Sequence, residues 1–254
     1  MMELKVIAYA RNGHTDKFGI PRQSREESPI LTHIVFEPEY NVREALRGIE
    51  GYSHLWLIWG FSEAQRKNIQ NTKDWSPTVR PPRLGGNKRM GVFATRSPFR
   101  PNPIGMSSVK LIRVQRNKEQ GTKDERLELI VSGADVLDGT PIYDIKPYLS
   151  FSDSHPDAQN GYAEASKNHR LQVVWPVEPT SKPQAEHLST LSVMSPKIRE
   201  DIEYILSQDP RPGYQDDPER VYKMDYGGWR VEFKVDLKSR VYIQSIYKVN
   251  RDTV

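Results

Sequence analysis

Cysteine is absent from the 254 residues of this chain. That removes disulfides, thiol nucleophiles, iron–sulfur clusters and thiolate zinc sites from consideration. It suits a reducing compartment, and a cytoplasmic protein is expected. Long apolar runs are missing as well: nothing approaches the roughly twenty residues of a membrane span. No basic-then-apolar leader and no lipidation motif is found, so no signal peptide or membrane partner is expected. Three nucleotide and hydrolase signatures are also lacking. There is no G-x-G-x-x-G after a strand, no G-x-x-x-x-G-K-[ST] and no G-x-S-x-G, which argues against a doubly wound dinucleotide fold, a P-loop and a nucleophile elbow. The six histidines (14, 33, 54, 155, 169 and 187) never fall two to five residues apart. No local metal site is expected from them. His54 lies among aromatics and reads as a satisfied core histidine.

A further absence is local. From Arg80 to Arg113 the chain carries eight cations and no acid, broken by Gly85–Gly86 and five prolines. Such a segment is built of turns and cannot be one long helix. Residues 1–151 hold 23 Lys+Arg against 17 Asp+Glu, a net of +6, while residues 152–254 hold 14 against 16, a net of −2. The basic excess therefore sits in the first part, as expected for a surface that meets an anion such as nucleic acid.

What is present is mostly β-type. The runs "LKVIAYA" (4–10), "ILTHIVF" (30–36), "MGVFAT" (90–95), "SSVKLIRV" (107–114) and "RLELIVSG" (126–133) read as strands, with another near Tyr143. "YSHLWLIWGF" (52–61) is almost wholly apolar and reads as a buried central strand. One helix is expected in "VREALRG", capped by Asn41 and ended by Gly48. Residues 152–169 turn polar and read as a linker. A smaller α+β domain over 170–254 follows, with a helix from Ser195–Pro196 through Ser207 and a hairpin from "WRVEFKVDL" and "VYIQSIYKV". The fold class expected is mainly β with some α: a single-sheet antiparallel β-barrel over 1–151, the linker, then the small domain.

Three polar segments stand out. "FGIPRQS" (18–24) projects Arg22 and Gln23 beside the fixed backbone of Pro21. The acid-free block offers arginine for paired contacts to phosphate or carboxylate, and a backbone anion nest is expected around Gly85–Gly86. Phe93 and Phe99 offer stacking faces, although Phe93 falls in a strand-like piece and reads as core. "ADVLDGTPIYDIKPYL" (134–149) crowds Asp135, Asp138 and Asp144 around a turn. An acidic cluster with a basic loop suits a site for two unlike ligands. An RNA-binding module without chemistry is the alternative that the same basic block supports.

The blocks "PRQS", "VRPPRLGGNKRMGVFATRSPFRPNPIGMS" and "LDGTPIYDIKPYL" resemble the signature blocks of the TsaA-like family, also called the YaeB family. "QDPRPGY" (208–214) is similar to the C-terminal part of its long bacterial members. The resemblance covers essentially the whole chain. It implies an S-adenosylmethionine-dependent tRNA methyltransferase acting on N6 of threonylcarbamoyladenosine at tRNA position 37. It implies a single-sheet barrel and a homodimer with the cofactor near the interface. By motif, the cofactor contacts would be Pro21, Arg22, Gln23, Arg96, Met106, Asp135, Leu137, Asp138, Gly139 and Thr140. The family often shows "FHQ" after the aromatic strand. Here Ser62 and Glu63 stand at the last two positions and would contact the cofactor through the backbone. Arg80, Arg83, Lys88, Arg89 and Arg100 would face the anticodon loop of tRNA. No metal is implied, and no residue is assigned as the catalytic base.

Overall fold

The structure, a computed structural model, describes residues 3–21, 23–24, 27–61, 75–81, 88–118, 125–166, 170–176, 193–211 and 217–249. It divides into two units. One comprises Met1–Asn12, Arg22–Pro81 and Asn87–Gln159; the other comprises Gly13–Pro21, Pro82–Gly86 and Asn160–Val254.

The first unit is mainly β. Its strands are β1 (Ala8–Arg11), β2 (Leu31–Phe36), β3 (His54–Gly60), β4 (Thr78–Val79), β5 (Met90–Gly91), β6 (Ile104–Lys118), β7 (Glu125–Ser132) and β8 (Pro141–Pro147). Six of them pair in the order β1-β2-β7-β6-β3-β8, all antiparallel, and β8 pairs back to β1 at Ala8–Ile142 and Tyr9–Pro141. The sheet is therefore closed. β6 is long because it serves two partners. Ile104–Lys110 runs against β3, Lys110–Lys118 runs against β7, and the register slips between Leu111 and Arg113. A bulge there lets one strand bend between two neighbours.

Closure gives every strand an inner and an outer face, and this corrects the reading of the aromatic strand. β3 is not buried throughout: Leu55, Leu57 and Trp59 are buried, while Trp56 and Ile58 are half-buried on the other face. The inner residues join Ala8, Ala10, Ile34, Phe36, Val109, Leu129, Val131 and Ile142 in one core. Outward-facing Trp56 is covered differently. Its indole nitrogen donates to Asp153 (2.7 Å), on the short helix α1 (Ser150–Asp153), and its ring packs near Tyr148.

The helix expected after Asn41 is a short 3₁₀ turn, Arg43–Leu46, preceded by Val42. Asn41 does not cap it, because its amide is engaged with β7: Nδ2 donates to the Glu125 carbonyl (2.7 Å) and Oδ1 accepts from the Leu127 N–H (2.8 Å). The run 4–10 yields a strand only from Ala8 onward. The strand expected over 90–95 stops at Gly91 and becomes a 3₁₀ turn, Val92–Ala94. The short ladder β4–β5 pairs Thr78 with Gly91 and Val79 with Met90.

The second unit orders its strands β10-β11-β12-β9: β9 (Gln172–Val174), β10 (Tyr222–Tyr226), β11 (Trp229–Val235) and β12 (Arg240–Lys248). β9 lies parallel to β12. The expected hairpin is β11–β12. The expected helix is α2 (Pro196–Ser207), with the Ser195 hydroxyl accepting from the Ile198 N–H at 3.3 Å. Residues 13–21 belong to this unit, which no sequence pattern suggested. Phe18 lies against Tyr222 and Phe233, and a Cβ on Gly19 would meet the Met224 sulfur at 2.9 Å. His14 is fully buried against Tyr226, whose hydroxyl donates to buried Asp201 (2.8 Å); Lys197 donates to the other oxygen of that carboxylate (2.7 Å). Among the described residues the buried histidine is thus His14, while His54 is half-buried at the start of β3.

Candidate functional site

The turn that joins β7 to β8 is fastened from two sides. Gly133 and Gly139 take left-handed backbone, with φ of 82° and 77°. An L side chain at Gly139 would be strained whatever the space around it. Gly139 donates its N–H to the Ala10 carbonyl (2.8 Å), and Ala10 donates to the Thr140 carbonyl (2.9 Å), so the turn is pinned to β1. The Thr140 N–H and hydroxyl both donate to the Leu137 carbonyl (3.1 and 2.7 Å).

Asn12 supplies the second set of ties. Its N–H donates to Asp138 Oδ1 (3.1 Å). Its side-chain amide donates to the Val136 carbonyl (3.0 Å) and to the Thr32 hydroxyl (3.2 Å). Arg11 stands 3.7 Å from the other Asp138 oxygen. Asp138 is therefore spent on holding the turn. Asp144, grouped with this cluster in the sequence, lies instead in β8. There it pairs with exposed Lys146 (3.0 Å) and accepts from the Ile145 N–H.

Asp135 is the remaining acid of the cluster. It is half-buried at the mouth of the closed sheet, just beyond β7. Trp59 Nε1 donates to the Ser107 hydroxyl oxygen (2.8 Å), and Ser107 donates its own hydrogen to Asp135. The relay exists because β3 and β6 pair Leu57 with Ser107 and Trp59 with Gly105. A Cβ at Gly105 would run into the Trp59 ring, so glycine there lets the indole lie flat enough to reach Ser107. Burial pushes the Asp135 carboxyl above the usual carboxylate range. The Ser107 hydroxyl, backbone N–H groups including that of Ser24, and the Arg96 charge oppose the rise without cancelling it.

Arg96 closes the arrangement. It is exposed and donates to the Gln23 side-chain oxygen, joining Gln23 to the arginine block. Gln23, Arg96 and Asp135 are far apart in sequence and are brought together here. Exposed Met106 lies on β6, one residue before Ser107. Leu137, Asp138, Gly139 and Thr140 form the pinned turn. Pro21 belongs to the second unit. Arg22, Ser62, Glu63, Arg83 and the nest expected at Gly85–Gly86 lie outside the described residues.

The described part of the basic block from Lys88 onward is fastened by its own turns. Thr95 donates its hydroxyl to the Val92 carbonyl (2.8 Å). Arg100 Nη1 donates to the carbonyls of Thr95 (3.0 Å) and Ser97 (3.4 Å), and Arg89 donates to the Thr78 hydroxyl (2.9 Å). Arg80, Lys88 and Arg89 are exposed. Phe93 is not core: it is 72% exposed, and its neighbour Val92 is the buried residue. The apolar alternation that suggested a strand is broken when the chain turns at Val92. Sequence reasoning also passed over Ser107, Trp59 and Asn12. No local pattern marks them, because their partners are contributed by other strands.

A half-buried acid with an elevated pKa beside an arginine, walled by backbone groups of a rigid turn, suits a ligand carrying both signs of charge. Among the described residues no group of three or more His, Cys, Asp or Glu is placed to hold a metal ion, and no helix is long and apolar enough to cross a membrane.

Residues 9–154 match the family model described as the tRNA-methyltransferase O N-terminal domain, and residues 169–249 match the TrmO C-terminal domain. A protein of Escherichia coli (strain K12) named tRNA (adenine(37)-N6)-methyltransferase is 39% identical over 233 residues, spanning 92% of this chain and 91% of its own length. A protein of Pseudomonas aeruginosa named putative S-adenosylmethionine-dependent methyltransferase is 41% identical over 217 residues, 85% of each chain. A solved structure of TrmO from Pseudomonas aeruginosa superposes with a TM-score of 0.68 at 30% identity, covering 97% of this chain and 99% of that one.

Proposed function

This chain belongs to the tRNA-methyltransferase O family, and from that premise we propose that it methylates N6 of threonylcarbamoyladenosine at position 37 of tRNA. It is a tRNA adenine-N6 methyltransferase, and S-adenosylmethionine is its methyl donor. The observation that carries the site assignment is the meeting of Asp135, Arg96 and Gln23 beside the turn at 137–140.

The residues fit a zwitterionic donor. Asp135 presents a carboxylate to the cationic part, and Arg96 presents a guanidinium to the carboxylate end, held in place by Gln23. Asp138 is committed to Asn12 and Arg11, which leaves Asp135 as the acid facing the ligand. The cofactor supplies an electrophilic methyl group on a sulfonium. The chain's part is alignment: the pinned turn and the Trp59–Ser107–Asp135 relay fix the site before substrate arrives. Positioning of that kind is worth on the order of 7–11 kcal/mol of barrier. The adenine N6 can shed its proton late, so no residue need act as a strong base.

The basic block serves the tRNA. Arg80, Lys88, Arg89 and Arg100 offer charge to the phosphates of a looped-out, single-stranded anticodon. The first domain, 1–151, is a single-sheet barrel that carries the chemistry. Residues 152–169 link it to a small domain over 170–254, and the lack of any net positive charge over 152–254 suits shape or subunit contacts over bulk attraction. The protein works as a cytoplasmic homodimer with the cofactor near the interface. Incubation with tritiated S-adenosylmethionine and tRNA bearing threonylcarbamoyladenosine should label the tRNA. No label above a blank in any tRNA pool rejects the assignment.

A further inference from the structure

The basic block also carries an exposed aromatic surface that none of the roles above uses. Phe93 is 72% exposed and Trp75 is 42% exposed. Their rings lie 6.4 Å apart, within 22° of parallel. The Arg100 guanidinium sits 6.0 Å from the centre of the Phe93 ring. Large aromatics on a water-facing surface are costly unless something covers them.

This surface is built, not incidental. The β4–β5 ladder joins the chain just after Trp75 to the chain just before Phe93. Two further bonds fasten it: Val92 N–H to the Pro77 carbonyl (3.0 Å) and Ser76 N–H to the Phe99 carbonyl (3.1 Å). Buried Val92 anchors the 3₁₀ turn, so Phe93 must point the other way. Arg100 is held by two backbone carbonyls and cannot easily swing from the ring. Three residues beyond Phe93, Arg96 reaches Gln23 at the cofactor site.

We propose that Phe93, flanked by Trp75 and Arg100, is a stacking platform for one unpaired base of the tRNA anticodon loop. The occupant follows from the surroundings. A fixed aromatic face next to an arginine, in a stretch with no acid from residue 80 to 113, suits a flat, electron-rich ring attached to phosphate. It suits an apolar protein surface less well. The proposal rests on the tRNA reading above, and it adds the residues that hold a nucleotide in place while its neighbour is methylated.

Direct binding separates this proposal from that reading. An anticodon stem-loop carrying 2-aminopurine in the loop would be titrated with the full-length protein, alongside methyl-transfer kinetics. Phe93→Ala should weaken stem-loop binding and raise KM for tRNA by about tenfold to a hundredfold, with Trp75→Ala smaller. 2-Aminopurine quenching should be lost, while the slope of log affinity against log salt stays as in the parent. Phe93→Tyr should restore binding. Affinity for S-adenosylmethionine and the thermal midpoint should not move. Unchanged stem-loop affinity and quenching in Phe93→Ala overturns the platform, whether or not the parent methylates tRNA. Loss of affinity in step with loss of the dimer, read by sedimentation, also overturns it and assigns the aromatics to the subunit interface. A parent protein that binds and quenches the stem-loop but transfers no methyl group leaves the platform standing and defeats only the enzymatic reading.

Discussion

Ser107 donates its hydroxyl hydrogen to the Asp135 carboxylate, while its oxygen accepts from the Trp59 indole. A core aromatic of β3 thereby sets the orientation of an acid on the turn that follows β7. The acid cannot rotate toward solvent without leaving the buried Ser107 hydroxyl without its acceptor. An unpaired buried donor costs about 1–3 kcal/mol.

Asp135→Asn separates stability from function. The folded-state pKa of Asp135 lies above its unfolded value, so its favourable contribution exists only at low pH and is lost as pH rises through the folded value. At pH 7.5, on the basis of this sign, the carboxylate works against folding. The cofactor-free variant should therefore melt at the parent temperature or a few degrees above it. Its affinity for S-adenosylmethionine should fall about tenfold or more, the cost of one charge-assisted hydrogen bond. A parent-like thermal shift on adding cofactor would overturn the role given to Asp135.

Asn12→Ala loosens the turn from outside the site. It removes the bonds to the Val136 carbonyl and the Thr32 hydroxyl, the latter fully buried. The expected loss is about 1–3 kcal/mol of stability. Weaker cofactor binding should accompany it, because Leu137–Thr140 lose their anchor. Denaturant melts with and without S-adenosylmethionine check both effects; a full-strength cofactor shift in a destabilised protein would show that the turn does not line the site.

Acid should weaken the second unit through His14. Burial lowers its pKa from 6.5 to about 4, so the folded state keeps it neutral. That contribution is present above the unfolded pKa and is lost as pH falls from about 6.5 toward 4. At 1.36 kcal/mol per pKa unit this amounts to roughly 3 kcal/mol. Equilibrium unfolding followed by Trp229 and Trp175 fluorescence at pH 7, 5.5 and 4.5 should show the decline. His14→Gln should flatten it, even if the variant starts from a lower stability.

Exposed cations of the block should act through charge alone. Lys88→Ala or Arg80→Ala should weaken tRNA binding modestly at low salt and reduce the salt slope by about one for each phosphate left without its cation. Neither should change affinity for S-adenosylmethionine. Weaker cofactor binding in Lys88→Ala would place that residue in the other half of the site.

Local chemistry in the sequence determined a good deal. Period-two apolar runs set most of the strands, Ser195–Pro196 set the start of α2, and Gly133, Gly139 and the "DGTP" turn set a sharp reversal. The arginine block and the family motifs brought Gln23, Arg96 and Asp135 to notice, because their signal is carried by neighbours in the chain. Tertiary structure alone decided what pairing across the sheet decides. β8 returning to β1 gave β3 an outer face, so Trp56 is not core. The β3–β6 register delivered Trp59 to Ser107 and Ser107 to Asp135. The engagement of Asn41 with β7 cancelled an expected helix cap, and the turn at Val92 exposed Phe93. The reason is physical: hydrogen bonds between residues 28 to 86 positions apart leave no periodicity in the sequence, since either partner's surroundings look complete without the other.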